Sequence, residues 1–351
     1  MSSIENNLYS QSFKASVLFR DASLFQTTNK NEKIGSTLEP NKNKICSLKE
    51  GEEIVEGIII DKFLFNGEES KFYLGKINSI NSEVLIKSFY YGKKPSSIIV
   101  KIKDDFEKVK EIIGDNIISY FDYQIDSNKK TCQIFMEYLP NTISLKKYFK
   151  NYNKDKSKNT GLPIKQIKII IKGILSGLKV LHEQNIFPGN LNLENILVNN
   201  DLSKIKIINY ALKTKNDEIL KYPFYSASKK VFMKFLPEYE YENDIWSVGC
   251  ITFELFCGYR PYNTFTPHDA ACSLAQCISP IEAANEDIKD IFYDKKNRIV
   301  LNFLNQCFRN NDGARPTADE LLKHTFLKWM KNLIRILIHY IIFSFIYQNK
   351  I

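Results

Sequence analysis

The sequence has few of the residues that build metal sites and disulfide frameworks. It contains seven cysteines and four histidines, and no two cysteines stand in a Cys-x-x-Cys spacing. Structural zinc sites use paired cysteines or histidines at short spacing, and disulfide frameworks belong mainly to small secreted domains. In a chain of 351 residues we therefore expect neither of them.

Two further absences narrow the function. Residues 1–30 lack the apolar run of a secretory signal, which favours a reduced, cytoplasmic location. The net charge of +9 is not accompanied by an arginine-rich helix or an aromatic stacking platform, so no nucleic-acid partner is expected. We interpret the charge as a solvated surface that is spread through lysine-rich loops.

Length and pattern predict two lobes flanked by two tails. Residues 1–50 are rich in Ser, Asn and Lys, which indicates a flexible tail. Residues 51–138 alternate in the manner of strands, residues 139–329 are mostly helical in pattern, and residues 330–351 form an apolar extension. The fold class is therefore α+β.

Individual elements follow from the same periodicities. The predicted strands are 54–65, 71–76, 83–89, 117–124 and 131–137. The predicted helices are 104–113, 144–150, 163–182, 244–256, 269–278, 298–308 and 317–324.

Several short motifs follow one another along the chain at characteristic distances. In chain order they are VLIK at 84–87, MEY at 136–138, the stretch 186–212, DIWSVGC at 244–250, GYRPY at 258–262, and RPT at 315–317 with His324 and Phe326. Together they resemble the motif set of the protein kinase family over residues 53–326. The resemblance implies a bilobal protein-kinase-like fold, with a small β-rich N-lobe and a larger helical C-lobe.

The stretch 186–212 resembles the catalytic loop and the metal-binding strand of kinases, but its chemistry differs. The family has His-Arg-Asp where this chain has Pro-Gly-Asn at 188–190. The resemblance places Asn190 at the catalytic-base position and Asn192 at the position of the lysine that stabilises the transferring phosphoryl group. An amide cannot accept a hydroxyl proton near neutral pH, and general-base help is typically worth ~10²–10⁴-fold.

The metal ligands are also changed. Asn209 stands where the family has the aspartate of Asp-Phe-Gly, whereas Asn195 keeps the second metal position. Mg²⁺ prefers carboxylate and phosphate oxygens, so we expect poor Mg²⁺ binding.

The nucleotide-binding positions are partly retained. The glycine-rich loop of the family keeps only Gly67, next to two glutamates. Lys87 matches the lysine that contacts the α- and β-phosphates, and its helix partner falls at Asp105, with Glu107 as the rival. The hinge matches Met136, Glu137 and Tyr138. We therefore expect weak ATP binding at most.

The Ala-Pro-Glu motif has two candidate positions. Residues 236–238 match it best by residue type, but residues 222–229 match its distance from Asp244 better, and we favour them. Lys229 would then replace the glutamate that pairs with Arg315, so another group must satisfy this arginine.

The changed loop predicts a pseudokinase that regulates or scaffolds a protein partner, either a kinase or a kinase substrate. One alternative is an atypical Ser/Thr-type kinase that uses Lys87, Asn195 and a carboxylate such as Asp201 or Asp217. The other is a scaffold held at a membrane through residues 333–347, a run that is shorter than a membrane span needs. The same run is interpreted first as a helix docked on the C-lobe, and otherwise as this membrane segment or as an unselected, disordered extension.

Overall fold

The computed structural model describes residues 48–328, with gaps at 56, 67–69, 79–80, 93–96, 155, 157–159, 212–222, 226–239 and 310–314. Gly67, most of the N-terminal tail and the apolar extension lie outside the described residues. The chain divides into two compact units. The described part of the first is 48–114 and 118–141 with Ala211, and that of the second is 115–117, 142–210 and 223–328.

The first unit is built on a six-stranded antiparallel sheet. Its strands are β1 (Glu53–Val55), β2 (Ile58–Asn66), β3 (Ser70–Ile77), β4 (Ser82–Tyr90), β5 (Tyr120–Asp126) and β6 (Thr131–Glu137), in the spatial order β1-β2-β3-β4-β6-β5. The predicted strand 54–65 is divided into β1 and β2, which pair through an irregular register. Buried side chains of β2, β3, β4 and β6 form its core: Ile58, Ile60, Tyr73, Ile77, Val84, Ile86 and Phe135.

One helix, α1 (Ser97–Val109), packs against β5 of this sheet. The prediction of a helix at 104–113 was wrong at both ends. The run Ile98–Val100 is β-branched, which lowers helix propensity and hides the first turn. Ile113 follows the helix and is 52% exposed, so it is not part of the buried helical face.

Asp122 on β5 gives this unit a pH dependence. Burial raises the pKa of its carboxyl to about 6, although the backbone N–H of Tyr123 donates to it at 2.7 Å. An unfolded aspartate has a pKa of about 3.9. The folded state therefore binds the proton more tightly, and stability falls as the pH rises from about 4 through about 6.

We expect Asp122→Asn to raise the free energy of unfolding at pH 7 by on the order of 1–2 kcal/mol, because the amide needs no ionisation. The gain should shrink toward pH 4. Urea unfolding of both proteins between pH 4.5 and 7.5 measures it. Parallel stability curves for the two proteins would contradict the assignment.

The second unit is mostly helical. Its helices are α2 (Leu145–Tyr152), α3 (Ile164–Glu183), α4 (Glu240–Cys257), α5 (Pro267–Ala275), α6 (Glu286–Tyr293), α7 (Arg298–Cys307) and α8 (Ala318–Leu322). A small antiparallel sheet has the order β7 (Thr142–Ser144), β8 (Ile196–Asn199) and β9 (Ile205–Ile207). The antiparallel sheet of one unit and the helices of the other confirm the α+β class.

Helix α6 is absent from the predicted set. It is eight residues long and buries only Ile288 and Phe292, so its apolar periodicity is too short to stand out. Its start is fixed locally, because the side chain of Asn285 accepts a hydrogen bond from the backbone N–H of Ile288 at 3.1 Å.

Helix α3 is the packing centre of the second unit, in contact with α4, α8 and β9. Gly177 permits a close approach at its middle: a Cβ there would lie 2.6 Å from the carbonyl oxygen of Asn116. Helices α3 and α4 also carry His182 and Asp244, and β8 and β9 carry the neighbours of Asn195 and Asn209. The fold thus brings both changed motifs to one place.

Candidate functional site

A buried carboxylate holds the loop at 188–190. Asp244, in α4, is fully buried, and its two oxygens have different partners. One accepts the backbone N–H of Gly189 at 2.8 Å, and the other lies 3.0 Å from Nε2 of His182. A carboxylate buried in an apolar helix needs such partners to offset its desolvation. Gly189 adopts a φ of 64°, which glycine accepts at little cost.

The backbone carbonyl of Asn190 is the centre of the next set of contacts. It accepts hydrogen bonds from the side-chain amides of Asn192 at 3.0 Å and Asn195 at 2.9 Å. The other end of the Asn192 side chain accepts the backbone N–H groups of Glu194 at 2.8 Å and Asn195 at 3.2 Å. Asn192 is therefore a buried cap of the short 3₁₀ turn Leu193–Asn195, committed to the loop itself.

Asn195 and Asn209 contact each other directly. The Nδ2 atom of Asn209 donates to Oδ1 of Asn195 at 2.9 Å. The orientation follows from the chemistry, because Asn195 must turn its nitrogen toward the carbonyl of Asn190 and therefore presents its oxygen to Asn209. Asn209 has a φ of 57°, a left-handed conformation that asparagine adopts more readily than most residues.

This pair does not fit a magnesium ion. Its donor set is two neutral amides, and the oxygen of Asn195 already accepts a hydrogen bond from Asn209. Mg²⁺ holds its water tightly and is usually bound through carboxylates and phosphates. Among the described residues there is also no group of three or more His, Cys, Asp or Glu side chains that could hold a metal.

The strand before Asn209 is held from both sides. The carbonyl of Asn116 accepts the N–H of Ile207 at 2.8 Å, and the side-chain amide of Asn116 donates to the carbonyl of Ile205 at 2.8 Å. After the strand, the N–H of Ile208 donates to the carbonyl of Asn195 at 2.9 Å. These contacts fix the distance between the side-chain amides of Asn195 and Asn209.

Sequence reasoning missed Asp244, His182 and Asn116 as parts of this site. Asp244 did carry a signal, because it is an acidic residue at the start of a run of apolar residues. Asn116 carried none, since a single asparagine beside Gly114 and Asp115 is ordinary in a turn.

The first unit carries the predicted nucleotide-binding residues. Lys87 lies in β4, half-buried, between Phe72 of β3 and Ile134 of β6 in the register of the sheet. Asp105 is half-buried on α1, and its charge contributes to the raised pKa of Tyr120, which burial dominates.

Glu107, the rival partner for Lys87, is exposed and pairs with Lys110 at 2.5 Å on its own helix surface. Asp105 remains the predicted partner.

Met136 and Glu137 are the last two residues of β6. The backbone N–H of Glu137 donates to the carbonyl of Ser119 at 2.9 Å, and the Glu137 carboxylate accepts the N–H of Ser119 at 3.2 Å. Tyr138 follows the strand.

Arg315 finds its partner at the start of α4. Its Nη1 donates to the carbonyl oxygen of Glu242 at 3.4 Å, and its guanidinium lies 5.0 Å from the ring centre of Trp246. Burial lowers the pKa of Arg315, and the carboxylate of Glu242 acts in the opposite direction. Glu242 thus supplies one contact to this arginine, whose Nε has no hydrogen-bond partner among the described residues. Lys229 and residues 236–238 lie outside the described residues, so the replacement of the family's glutamate stays a prediction.

The fold and the order of the motifs together define a kinase-type domain, and asparagines stand at residues 190, 195 and 209 of its second unit. The chain belongs to the protein kinase superfamily, because the family model described as "Protein kinase domain" matches residues 60–327. Protein kinases generally bind ATP and Mg²⁺ and interact with protein substrates or partners.

Three relatives illustrate the similarity. MAP kinase kinase kinase mkh1 of Schizosaccharomyces pombe is 24% identical over 241 residues, covering 66% of this chain and 20% of that protein. Mitogen-activated protein kinase kinase kinase 1b of Physcomitrium patens is 27% identical over 240 residues, covering 67% and 28%. Serine/threonine-protein kinase shk1/pak1 of S. pombe is 30% identical over 177 residues, covering 48% and 25%. The matched part therefore spans less than a third of each relative's length.

The cap role of Asn192 leads to a stability prediction. Asn192→Ala should lower the free energy of unfolding by about 1–2 kcal/mol, because it leaves two backbone N–H groups and one carbonyl without this partner. Asn192→Ser, whose hydroxyl is also a good cap and can both accept and donate, should cost less. Denaturant unfolding of the three proteins ranks them, and equal midpoints would show that the cap contributes nothing.

Proposed function

We propose that this chain is a pseudokinase: a kinase-family domain that does not transfer phosphoryl groups and acts by binding a protein partner. The single observation that carries the proposal is the hydrogen bond between Asn209 and Asn195. An amide nitrogen that donates to Asn195, at the position that the resemblance matches to a metal ligand, supports the proposed loss of the metal anchor.

The loop supports the same conclusion from the side of the base. Asn190 offers no carboxylate to the attacking hydroxyl, and this loss alone is typically worth ~10²–10⁴-fold in rate. Phosphoryl transfer depends mainly on positioning and on charge neutralisation by the metal. Loss of the metal anchor therefore lowers the rate of phosphoryl transfer further, in addition to the reduction caused by loss of the base. Asn192, committed to the loop backbone, supplies no cation in place of the family's lysine.

We propose further that ATP, if the chain binds it, binds weakly and without help from Mg²⁺, through Lys87 and the hinge residues. The partner is expected to be an intracellular kinase or a kinase substrate, in keeping with the serine/threonine kinases among the relatives.

The residual-kinase alternative needs a substitute carboxylate. Asp201 is poorly placed for this role, because its carboxylate accepts the N–H and Oγ of Ser203 at 3.0 and 2.8 Å within the β8–β9 turn. These hydrogen bonds lower the pKa of Asp201. Asp217 lies outside the described residues.

Thermal unfolding of the purified chain, with and without ATP and with and without Mg²⁺, tests the proposal. A ligand that binds only the folded state raises the unfolding temperature according to its concentration relative to Kd. We expect a small rise with ATP, or none, and no further rise with Mg²⁺. A rise that requires Mg²⁺ would contradict the loss of the metal anchor.

A further inference from the structure

The sheet of the first unit has two differently lined faces. Tyr73, Ile86 and Phe135 lie on one of them, which forms the buried core. Successive side chains of a strand alternate between faces, so the chain neighbours of these residues lie on the other face. They include one charged residue among apolar ones: Phe72, Leu74, Leu85, Lys87, Ile134 and Met136. We call this second face the Lys87 face.

The two exposed phenylalanines of β2 lie on opposite faces of this sheet. The ring of Phe63 meets the core residue Tyr73 edge-on, with 5.6 Å between ring centres. The ring of Phe65 stacks on Phe72, with 4.6 Å between ring centres and 18° between ring planes. The pairing of β2 with β3 shifts its register between Phe63 and Phe65, which lets residues two positions apart reach different faces. Phe65 and Phe72 therefore form an aromatic pair on the Lys87 face.

This aromatic pair stands next to Lys87. Phe72 is the direct partner of Lys87 in the pairing of β3 with β4, and residues paired in this way have their Cβ atoms about 5 Å apart. Phe65 is 51% exposed, whereas Phe72 is half-buried. The outer ring, that of Phe65, therefore shields the inner ring from solvent.

The family that this chain resembles has smaller residues at these positions. The spacing G-x-G-x-x-G-x-V, set with its valine at Phe72, has its first glycine at Phe65. A glycine has no side chain, which lets the backbone come close to a ligand. Leu85 stands at the alanine of V-A-I-K in the same way. Three larger side chains thus fall on one face of the sheet.

A nucleotide held as the resemblance implies would lie along this face. Lys87 would contact its phosphates, and the hinge residues 136–138 would contact its base. Leu85 pairs with Met136 in the row of the sheet next to the row that pairs Phe72 with Lys87. A ligand that reaches from Lys87 to the hinge therefore passes beside the larger side chains.

We propose that Phe65 and Phe72 form an internal cover that keeps a nucleotide away from Lys87. The proposal rests on the proposed function, because it concerns the site through which ATP would bind, and it gives the expected weak binding a steric cause. A nucleotide must first displace Phe65 from Phe72. The contact of an aromatic pair changes an equilibrium constant by roughly 2- to 12-fold. The apparent affinity falls in proportion to the fraction of molecules in which the cover is open.

Isothermal titration calorimetry of the full chain with ATP in EDTA tests the proposal. EDTA makes the readout independent of the metal position and of phosphoryl transfer, so failure here is distinct from failure of the pseudokinase proposal, which Mg²⁺ dependence and ATP turnover decide. Phe65→Ala is the test variant, and Phe72→Val is the second. Phe63→Ala is the matched control, because it removes the other exposed phenylalanine of the same strand.

We expect Phe65→Ala to bind ATP about 5-fold more tightly than the wild type, and Phe72→Val to bind more tightly as well. Phe63→Ala should bind like the wild type, because its ring lies on the core face. Adding Lys87→Ala to Phe65→Ala should remove the gain in affinity. Thermal unfolding of each variant confirms that it is folded.

The other results would overturn the proposal, and each has its own meaning. Equal affinities of Phe65→Ala and Phe63→Ala, or no binding by any of these proteins, would show that the aromatic pair is not what keeps ATP away. Weaker binding by Phe65→Ala would show that the two rings hold the base of the nucleotide instead. A gain that survives Lys87→Ala would place ATP away from the Lys87 face.

Discussion

Asp244→Ala is expected to lower the free energy of unfolding by about 3–5 kcal/mol, a large part of the stability of a single domain. The carboxylate is fully buried and accepts the N–H of Gly189 on one oxygen, while its other oxygen contacts His182. Removal leaves that N–H and the imidazole without the acceptor that the fold provides, and it opens a cavity beside the loop.

The matched control for this variant is Asp201→Ala, which removes an exposed aspartate that makes two hydrogen bonds in a turn. We expect it to cost no more than about 1 kcal/mol. Asp244→Asn should fall between the two, because its amide keeps one acceptor and loses the other. Urea unfolding of the four proteins gives the ranking. A loss at Asp244 no larger than that at Asp201 would show that the loop does not depend on this anchor.

Asn209→Asp is expected to make the stability of the chain depend on Mg²⁺. The carboxylate would face Oδ1 of Asn195 with an acceptor in place of the donor present now. In EDTA this should cost on the order of 1–2 kcal/mol. A cation that bridges the two oxygens would restore the loss, so Mg²⁺ should raise the unfolding temperature of the variant and leave that of the wild type unchanged.

Asn141→Asp serves as the control for this second prediction. Asn141 is an exposed asparagine whose backbone is also left-handed, with a φ of 60°, and it belongs to the other unit of the chain. It should gain no dependence on Mg²⁺. If neither EDTA nor Mg²⁺ changes the unfolding temperature of Asn209→Asp, the side chains at positions 195 and 209 do not form a Mg²⁺ site even when one of them is a carboxylate.

Elements with long, regular apolar patterns could be predicted closely. Strand β6 has the bounds that the sequence predicts, and α3 differs from its prediction by one residue at each end. Helix α1 was placed too late because its first turn is β-branched, and α6 was missed because it buries only two side chains. Propensity and short periodicity are weak signals where tertiary packing decides the element.

The order of the motifs in the chain is enough to nominate the candidate site residues, but it does not determine the contacts that their side chains make. Asn192 occupies a catalytic position by resemblance, yet it caps a turn. Asn195 and Asn209 are fourteen positions apart, and their hydrogen bond requires the β8–β9 hairpin and the left-handed backbone at Asn209. These are long-range or conformational facts that residue types alone do not determine.

The central claim is that the chain does not transfer phosphoryl groups, and the most direct test is ATP turnover. Hydrolysis and autophosphorylation by the purified full chain should be measured with Mg²⁺ and with Mn²⁺, alongside Lys87→Ala as the matched inactive variant. We predict equal rates for the two proteins, at the background of the assay. A wild-type rate several-fold above that of Lys87→Ala would contradict the claim and show that this chain is an active kinase.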